Sequence, residues 1–139
     1  MPISMADAVW RGDLHDGEGT MSAESGAFEA LPFDFATRFG DDDGTDPEEL
    51  IGAAHAGCFS MALSNELDRA GYTPEEVATN AEVTVEDSTI TAVALTARAD
   101  VSDVDEDSFH EIAAEAKGNC PVSVALGGVD EITLDATLE

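Results

Sequence analysis

The sequence predicts an α+β fold, and three observations point to it. Residues 46–70 carry the start, apolar body and stop of one long helix. Apolar and polar residues alternate with period two before that helix, just after it and at the end of the chain. A second helical stretch near 105–117 separates the last strand from the others, so strands come in runs rather than one per helix. The expected order is β-β-β-α-β-β-α-β. The chain's 139 residues are the length of one domain, taken as 1–139, without internal repeats.

Met5 to Arg11 alternates weakly and carries Val9 and Trp10, which suits a first strand. Asp13 to Gly19 is rich in turn residues, and Thr20 to Ser25 suits a returning strand. Phe33, Phe35, Thr37 and Phe39 alternate with Asp34, Ala36 and Arg38, which predicts a third strand. Asp46 is a good N-cap, Pro47 fits the first helical position and Glu49 stands three residues after the cap. The helix is expected to end near Ala70, with Gly71 just past it. Between Leu50 and Leu63 nearly every side chain is apolar or small. Such a helix needs cover on most sides, which a small domain can hardly supply alone and a second subunit can complete.

Val83 and Val85, then Ile90 to Arg98, predict two strands joined by a short hairpin at Asp87-Ser88-Thr89. Asp105 to Lys117 predicts a second helix with Phe109, Ile112, Ala113 and Ala116 on one face, interrupted at Gly118-Asn119. Cys120-Pro121 restarts a short helix to Leu126, and Ile132, Leu134 and Leu138 mark a last strand.

Five basic and 31 acidic residues give a net charge of −26. Such a polyanion has no footprint for nucleic-acid backbones and is repelled by anionic lipid, so neither is an expected partner. No apolar run is long enough for a signal peptide or a membrane span, which predicts a cytoplasmic protein. The acids are dispersed rather than gathered in a tail, and Lys117 is the single lysine. Dispersed acids with few lysines suit a surface bathed in concentrated salt, where self-repulsion is screened over ~3 Å at molar strength. A salt-adapted organism is the expected source.

Two cysteines and three histidines (His15, His55, His110) show no metal-ligand spacing, so no zinc site is expected. Glycine-rich phosphate loops and nucleophile elbows are also missing from the sequence. Cys120 opens a helix, which favours its thiolate, whereas Cys58 inside the apolar helix has the simpler role of a small core residue. Arg38, one of four arginines, can hold a carboxylate or a thiolate, or make a surface ion pair. Glu48 and Glu49 suit the first turn of a helix. His55, three residues before Cys58, is a packed histidine or a base on the same face. The residues by themselves suggest a two-cysteine redox protein.

Asp46-Pro47-Glu48-Glu49-Leu50-Ile51-Gly52-Ala53-Ala54-His55-Ala56-Gly57-Cys58-Phe59-Ser60-Met61-Ala62-Leu63 closely resembles the first-cysteine helix of the OsmC/Ohr family, on its OsmC side. Ala116-Lys117-Gly118-Asn119-Cys120-Pro121-Val122-Ser123 resembles the second-cysteine motif, and the N-terminal segments around Trp10 to Leu14, Gly17 to Thr20 and Ser22 to Gly26 are also similar. The likeness spans essentially the whole chain. It implies a thiol peroxidase acting on organic hydroperoxides, with hydrogen peroxide a further candidate, in oxidative or osmotic stress defence. It implies that Cys58 attacks the peroxide and becomes a sulfenic acid, that Cys120 closes a disulfide on it, and that a dithiol of lipoyl type restores both. It implies that Arg38 and Glu48 hold the thiolate and polarise the peroxide, that no cofactor takes part, and that the fold is an intertwined homodimer with both cysteine helices central. A redox-inert binding or stress protein of the same family is the other reading.

Helix-terminus acidity favours Cys120 while the resemblance assigns attack to Cys58; an Arg38 contact is what would reconcile them. Glu48 and Cys58 are ten residues apart on one expected helix, or about 15 Å along its axis. A glutamate does not reach that far, so its implied role would serve the partner subunit's Cys58 unless the helix breaks near Gly52. The charge itself yields a first prediction. Stability is expected to rise steeply from dilute buffer to molar KCl as exposed carboxylates are screened. Chemical denaturation across that range measures it, and a midpoint indifferent to KCl would remove the salt-adaptation reading.

Overall fold

Gly19 shows why the first strands lie where they do. In the computed structural model, which describes residues 1–139, it pairs with Trp10 on one side and Phe33 on the other. A Cβ there would come within 2.6 Å of the Trp10 ring and 2.8 Å of the Phe33 ring. Only glycine lets those two rings close over the strand, with centroids 5.5 Å apart. The three strands β1 (Ala6–Arg11), β2 (Glu18–Ala23) and β3 (Leu31–Phe33) form one antiparallel sheet in sequence order. The sheet lies in the first of two compact units, Met1–Leu50; the second is Ile51–Glu139.

The strand expected over Phe33 to Phe39 is corrected here. β3 stops at Phe33, and Phe35–Phe39 form a short helix, α1. Asp34 causes the switch through a reciprocal capping box. Its carboxylate accepts from the Thr37 amide, and its own amide donates to the Thr37 hydroxyl, both at 2.9 Å. Phe35 and Phe39 suit a strand and a helix alike, because they are four residues apart. In the helix their rings stack at 5.2 Å between centroids. Arg38 therefore projects from a helix rather than from a strand.

The long helix α2 (Pro47–Arg69) forms as expected and runs unbroken through Gly52. Asp46 caps it by accepting from the Glu49 amide at 2.7 Å. Its end is a Schellman motif: Tyr72 N–H donates to the Leu67 carbonyl at 2.8 Å, and Gly71 N–H to that of Asp68 at 3.0 Å. Gly71 sits at φ +97°, in the left-handed region.

β4 (Pro74–Glu86) and β5 (Thr89–Val101) make an antiparallel hairpin. Asp87 and Ser88, at φ 50° and 62°, form its tight turn. β4 begins well before the alternation at Val83, because pairing with β5 reaches down to Pro74 opposite Val101. β6 (Glu131–Leu138) lies parallel to β5 after a crossover through α3 (Glu106–Asn119) and α4 (Pro121–Ala125). The observed order is thus β-β-β-α-α-β-β-α-α-β: α4 is the short helix expected after Cys120-Pro121, and α1 is the one element added.

The expected interruption at Gly118-Asn119 also needs correction. α3 continues through both residues and ends at Cys120. Pro121 sets that boundary by forcing the residue before it into extended backbone, and Cys120 has φ −67° and ψ 116°. Cys120 consequently stands at the junction of two helices rather than within one, unlike Cys58.

The core of the second unit follows from periodicity. Phe59, Leu63 and Leu67 form one stripe of α2, Val93, Leu95, Ala97, Ala99 and Val101 one face of β5, and Phe109, Ala113 and Ala116 one stripe of α3. All are buried. Gly52 brings α2 close to β4: a Cβ there would meet Val83 at 3.4 Å. The opposite stripe of α2, Ala53, Gly57 and Met61, stays exposed in the single chain, and Met61 retains 77% of its surface. No helix is long and apolar enough to cross a membrane.

Gly71→Ala tests the helix stop. Nothing lies within 4 Å of the added methyl, so the cost is backbone strain alone, about 1–2 kcal/mol. Denaturant unfolding in molar KCl is expected to show that loss, and an unchanged midpoint would contradict the left-handed Gly71.

Candidate active site

The four residues singled out from the sequence fall into two pairs, each within one unit. In the first unit the capping box at Asp34 positions Arg38 on α1, and the start of α2 positions Glu48. Arg38 Nε donates to both oxygens of Glu48 at 3.1 Å, and its Nη2 donates to Oε1 as well. The guanidinium also lies 4.9 Å from the centroid of the Phe39 ring. Glu48 keeps only 8% of its surface, so this pair is held in a protected, forked geometry rather than loosely in solvent. The sequence allowed Glu48 a capping role; its carboxylate is instead committed to Arg38.

Beside this pair is a cavity that the sequence did not reveal. It has a volume of about 370 Å³ and is lined by Trp10, Leu14, Phe33, Phe35 and Phe39, with Arg38 among them. The alternating aromatics were the visible signal. Read as a strand, they would have pointed to a sheet face; folded as β3 followed by α1, they wall a pocket.

In the second unit Cys58 on α2 and Cys120 at the α3–α4 junction are both free thiols, close enough for each to act on the other. Cys120 is completely buried and Cys58 half-buried. Burial pushes the Cys58 thiol up; the Val122 amide opposes this, and the neighbouring Cys120 sulfur adds to it. Burial also acts against ionisation of Cys120. The amide and hydroxyl of Ser123, the Cys58 thiol and the Val122 amide outweigh it and hold this thiol below its ordinary range. The Cys120 sulfur makes no full capping bond to α4, so these donors act on it at longer reach. The acidity ranking expected from sequence, Cys120 over Cys58, matches this environment. Access ranks them the other way.

α2 grips the segment around Cys120 from both sides. His55, fully buried, shares a 2.7 Å hydrogen bond between Nε2 and Ser123 Oγ. Asn119 Nδ2 donates to the buried Glu66 at 3.5 Å, and Glu66 also pairs with Arg69. The spacing of His55 to Cys58 is visible in the sequence, whereas no sequence spacing relates His55 to Ser123. Burial holds the His55 imidazole below its usual pKa, which keeps it neutral. No group of three or more His, Cys, Asp or Glu side chains is placed to hold a metal ion. Two adjacent thiols with unequal access and unequal acidity can run a dithiol–disulfide cycle. A forked arginine beside an apolar pocket can bind a polar oxygen at the end of an apolar molecule.

Known proteins carry the same framework. Residues 40–135 match the family model described as OsmC-like protein. Peroxiredoxin OsmC of Escherichia coli (strain K12) is 47% identical over 136 residues, spanning 95% of this chain and 94% of that protein; that of Shigella flexneri matches equally. Among solved structures, the OsmC like protein from Mycoplasma pneumoniae superposes with a TM-score of 0.76 at 16% identity, covering 99% of this chain and 97% of that one. The organic hydroperoxide resistance protein OhrB of Bacillus subtilis gives 0.65 at 23% identity, covering 97% and 98%. The fold is shared with those structures, the sequence with the two peroxiredoxins, and the chain belongs to the OsmC-like family.

Proposed function

We propose that this chain is a cysteine-based peroxidase that reduces organic hydroperoxides. The observation that carries the reading is the meeting of Cys58 and Cys120, one half-exposed on α2 and the other buried against it. The Cys58 thiolate attacks the terminal peroxide oxygen. The O–O bond breaks, an alcohol leaves after taking up a proton, and Cys58 becomes a sulfenic acid. Cys120 sulfur then attacks the Cys58 sulfur, the S–O bond breaks and water leaves. An external dithiol, of lipoyl type by family likeness, reduces the disulfide and returns both thiols. Cys58 takes the first step because a peroxide can reach it, whereas the more acidic Cys120 is sealed.

Arg38 and Glu48 are proposed to serve that first step. The carboxylate fixes the guanidinium through Nε and Nη2 and leaves Nη1 free to face a peroxide oxygen or a thiolate. The aromatic cavity beside Arg38 suits a hydrocarbon tail better than hydrogen peroxide. The names of the relatives, peroxiredoxin and organic hydroperoxide resistance protein, favour the same substrate class. We take residues 1–139 as one OsmC-like domain that works as a cytoplasmic homodimer in stress defence, adapted to salt. The open stripe of Ala53, Gly57 and Met61 supports the dimer, since it is the face of α2 that a single chain leaves uncovered.

Cys58→Ser is expected to abolish peroxide turnover with a dithiol reductant. Cys120→Ser is expected to allow one oxidation, leaving a sulfenic or overoxidised Cys58 visible by mass spectrometry. Full activity in Cys58→Ser with none in Cys120→Ser would reverse the roles. A wild-type chain that consumes no peroxide and forms no Cys58–Cys120 disulfide would favour a redox-inert family member.

Because α2 is unbroken, ten residues put Glu48 about 15 Å along the axis from Cys58 and about 80° around it. The proposed role of Glu48 is thus at the partner subunit's Cys58. Heterodimers of a Cys58→Ser subunit with a Glu48→Gln subunit, each inactive as a homodimer, are expected to regain one working site. Purified heterodimers without restored turnover would refute the shared arrangement.

A further inference from the structure

We infer that His55 and Ser123 are a positioning pair for Cys120: the buried imidazole donates through Nε2–H to Ser123 Oγ, which turns the serine hydroxyl proton onto the Cys120 sulfur and readies it as nucleophile of the second step. The inference rests on the peroxidase reading for its purpose, but not for its geometry.

Two facts about His55 fix the direction of the chain of hydrogen bonds. Its side chain is wholly buried, with Nε2 2.7 Å from Ser123 Oγ. Its Nδ1 is buried too and has no partner at all. A neutral imidazole carries one proton. If that proton were on Nδ1, a donor would be stranded in the core, while Ser123 spent its own hydrogen on Nε2. With the proton on Nε2, only a bare acceptor is stranded, and orphaned donors are the rarer defect in folded proteins. The second tautomer leaves the Ser123 hydrogen free. The turn beginning at Cys120, closed by Val124 N–H donating to the Cys120 carbonyl at 3.0 Å, brings Ser123 back beside Cys120. The hydroxyl there favours the ionised sulfur, as the environment of Cys120 already indicated.

The chemistry needs such a device at Cys120 more than at Cys58. Cys120 has no solvent to stabilise a thiolate, yet its sulfur must form the S–S bond. In that step Cys120 sulfur is oxidised and Cys58 sulfenic sulfur reduced, the S–O bond breaks, and the thiol proton of Cys120 ends on the departing hydroxide as water. Ser123 holds charge at the attacking atom, and His55 stays neutral and holds Ser123. From α2 the titratable groups on this side are Cys58, which faces the sulfur, and His55 behind the serine; Glu66 is engaged with Asn119 and Arg69.

Two measurements test the pair in molar KCl. The first follows the lifetime of the Cys58 sulfenic acid after one equivalent of cumene hydroperoxide, using dione trapping and disulfide mapping. Ser123→Ala and His55→Leu are expected to lengthen it by roughly 10- to 100-fold, the size of one hydrogen bond to a charged group. Ser123→Thr, which keeps the hydroxyl, is expected to recover most of that loss. The second titrates the thiolate absorbance of Cys120 against pH in a Cys58→Ser background, where no peroxide chemistry occurs. Adding Ser123→Ala is expected to move the midpoint up by about one to two pH units. An unchanged midpoint, or disulfide closure at wild-type speed in Ser123→Ala, overturns the inference. Should His55→Leu fail to fold, Ser123→Ala decides alone. A wild-type chain that forms no disulfide defeats the peroxidase reading, and the titration still shows whether Ser123 acts on the Cys120 sulfur.

Discussion

The packing of α2 against β5 is the constraint on which the second unit depends. Phe59, Leu63 and Leu67 lie on one stripe and share a buried core with Val93, Leu95, Ala97, Ala99 and Val101, every second residue of β5. Each large side chain so buried is worth about 1.5–3 kcal/mol, so the stripe alone is of the order of a small domain's net stability. That packing fixes the rotation of the helix. Once Phe59 faces inward, Cys58 must lie beside it at the margin, His55 must face in one turn earlier, and Glu66 must lie next to Leu67. The site is placed by the core, and a helix rotated by one position would lose both together.

Pro121 does for the second cysteine what α2 does for the first. By forbidding helical backbone at the residue before it, the proline ends α3 and bends the chain so that Cys120 is delivered to α2 rather than carried past it. His55 and Glu66 then hold that bend at Ser123 and Asn119. The tethers lie eleven residues apart on α2, about three turns, with Cys58 between them. A disulfide requires sulfur atoms to meet within narrow limits. Under the proposed function, a junction held at both ends by the helix bearing the other thiol limits how far the two can drift apart between oxidation and closure.

What could be read from the sequence, and what could not, divides along the range of the forces involved. The start and stop of α2 were legible because Asp46, Pro47 and Gly71 act within a few residues. So were the β4–β5 hairpin at Asp87-Ser88 and the apolar faces of α3. The segment at Phe33 to Phe39 was not, since residues spaced by two and by four satisfy both periods and the decision rested on one reciprocal cap, Asp34 with Thr37. The end of α3 was displaced for a similar reason: Gly118 is permissive, whereas Pro121 is prohibitive, and prohibition wins. Of the site, the cysteines, Arg38 and Glu48 stood out through family likeness and rarity. The Arg38–Glu48 fork, the aromatic cavity and the Ser123 contact needed the fold, because each joins elements that sequence spacing does not relate.

The inequality of the two thiols has a chemical consequence. A single cysteine that was both open to peroxide and strongly stabilised as thiolate would be oxidised by any oxidant that reached it. Here the two properties are divided. Cys58 has access without acidity of its own, and Cys120 has acidity without access. Under the proposed function, Cys58 then reacts only where a guanidinium meets it, which ties its chemistry to Arg38 and to whatever fits the aromatic cavity beside that residue. The chain's net charge of −26 sharpens this dependence, since a field of carboxylates disfavours an anionic sulfur wherever no cation is held close. Under the proposed function, Glu48 has the corresponding task of keeping one of the four arginines from being drawn to the many competing acids, and because Glu48 is buried, salt screens this pair less than it screens an exposed one.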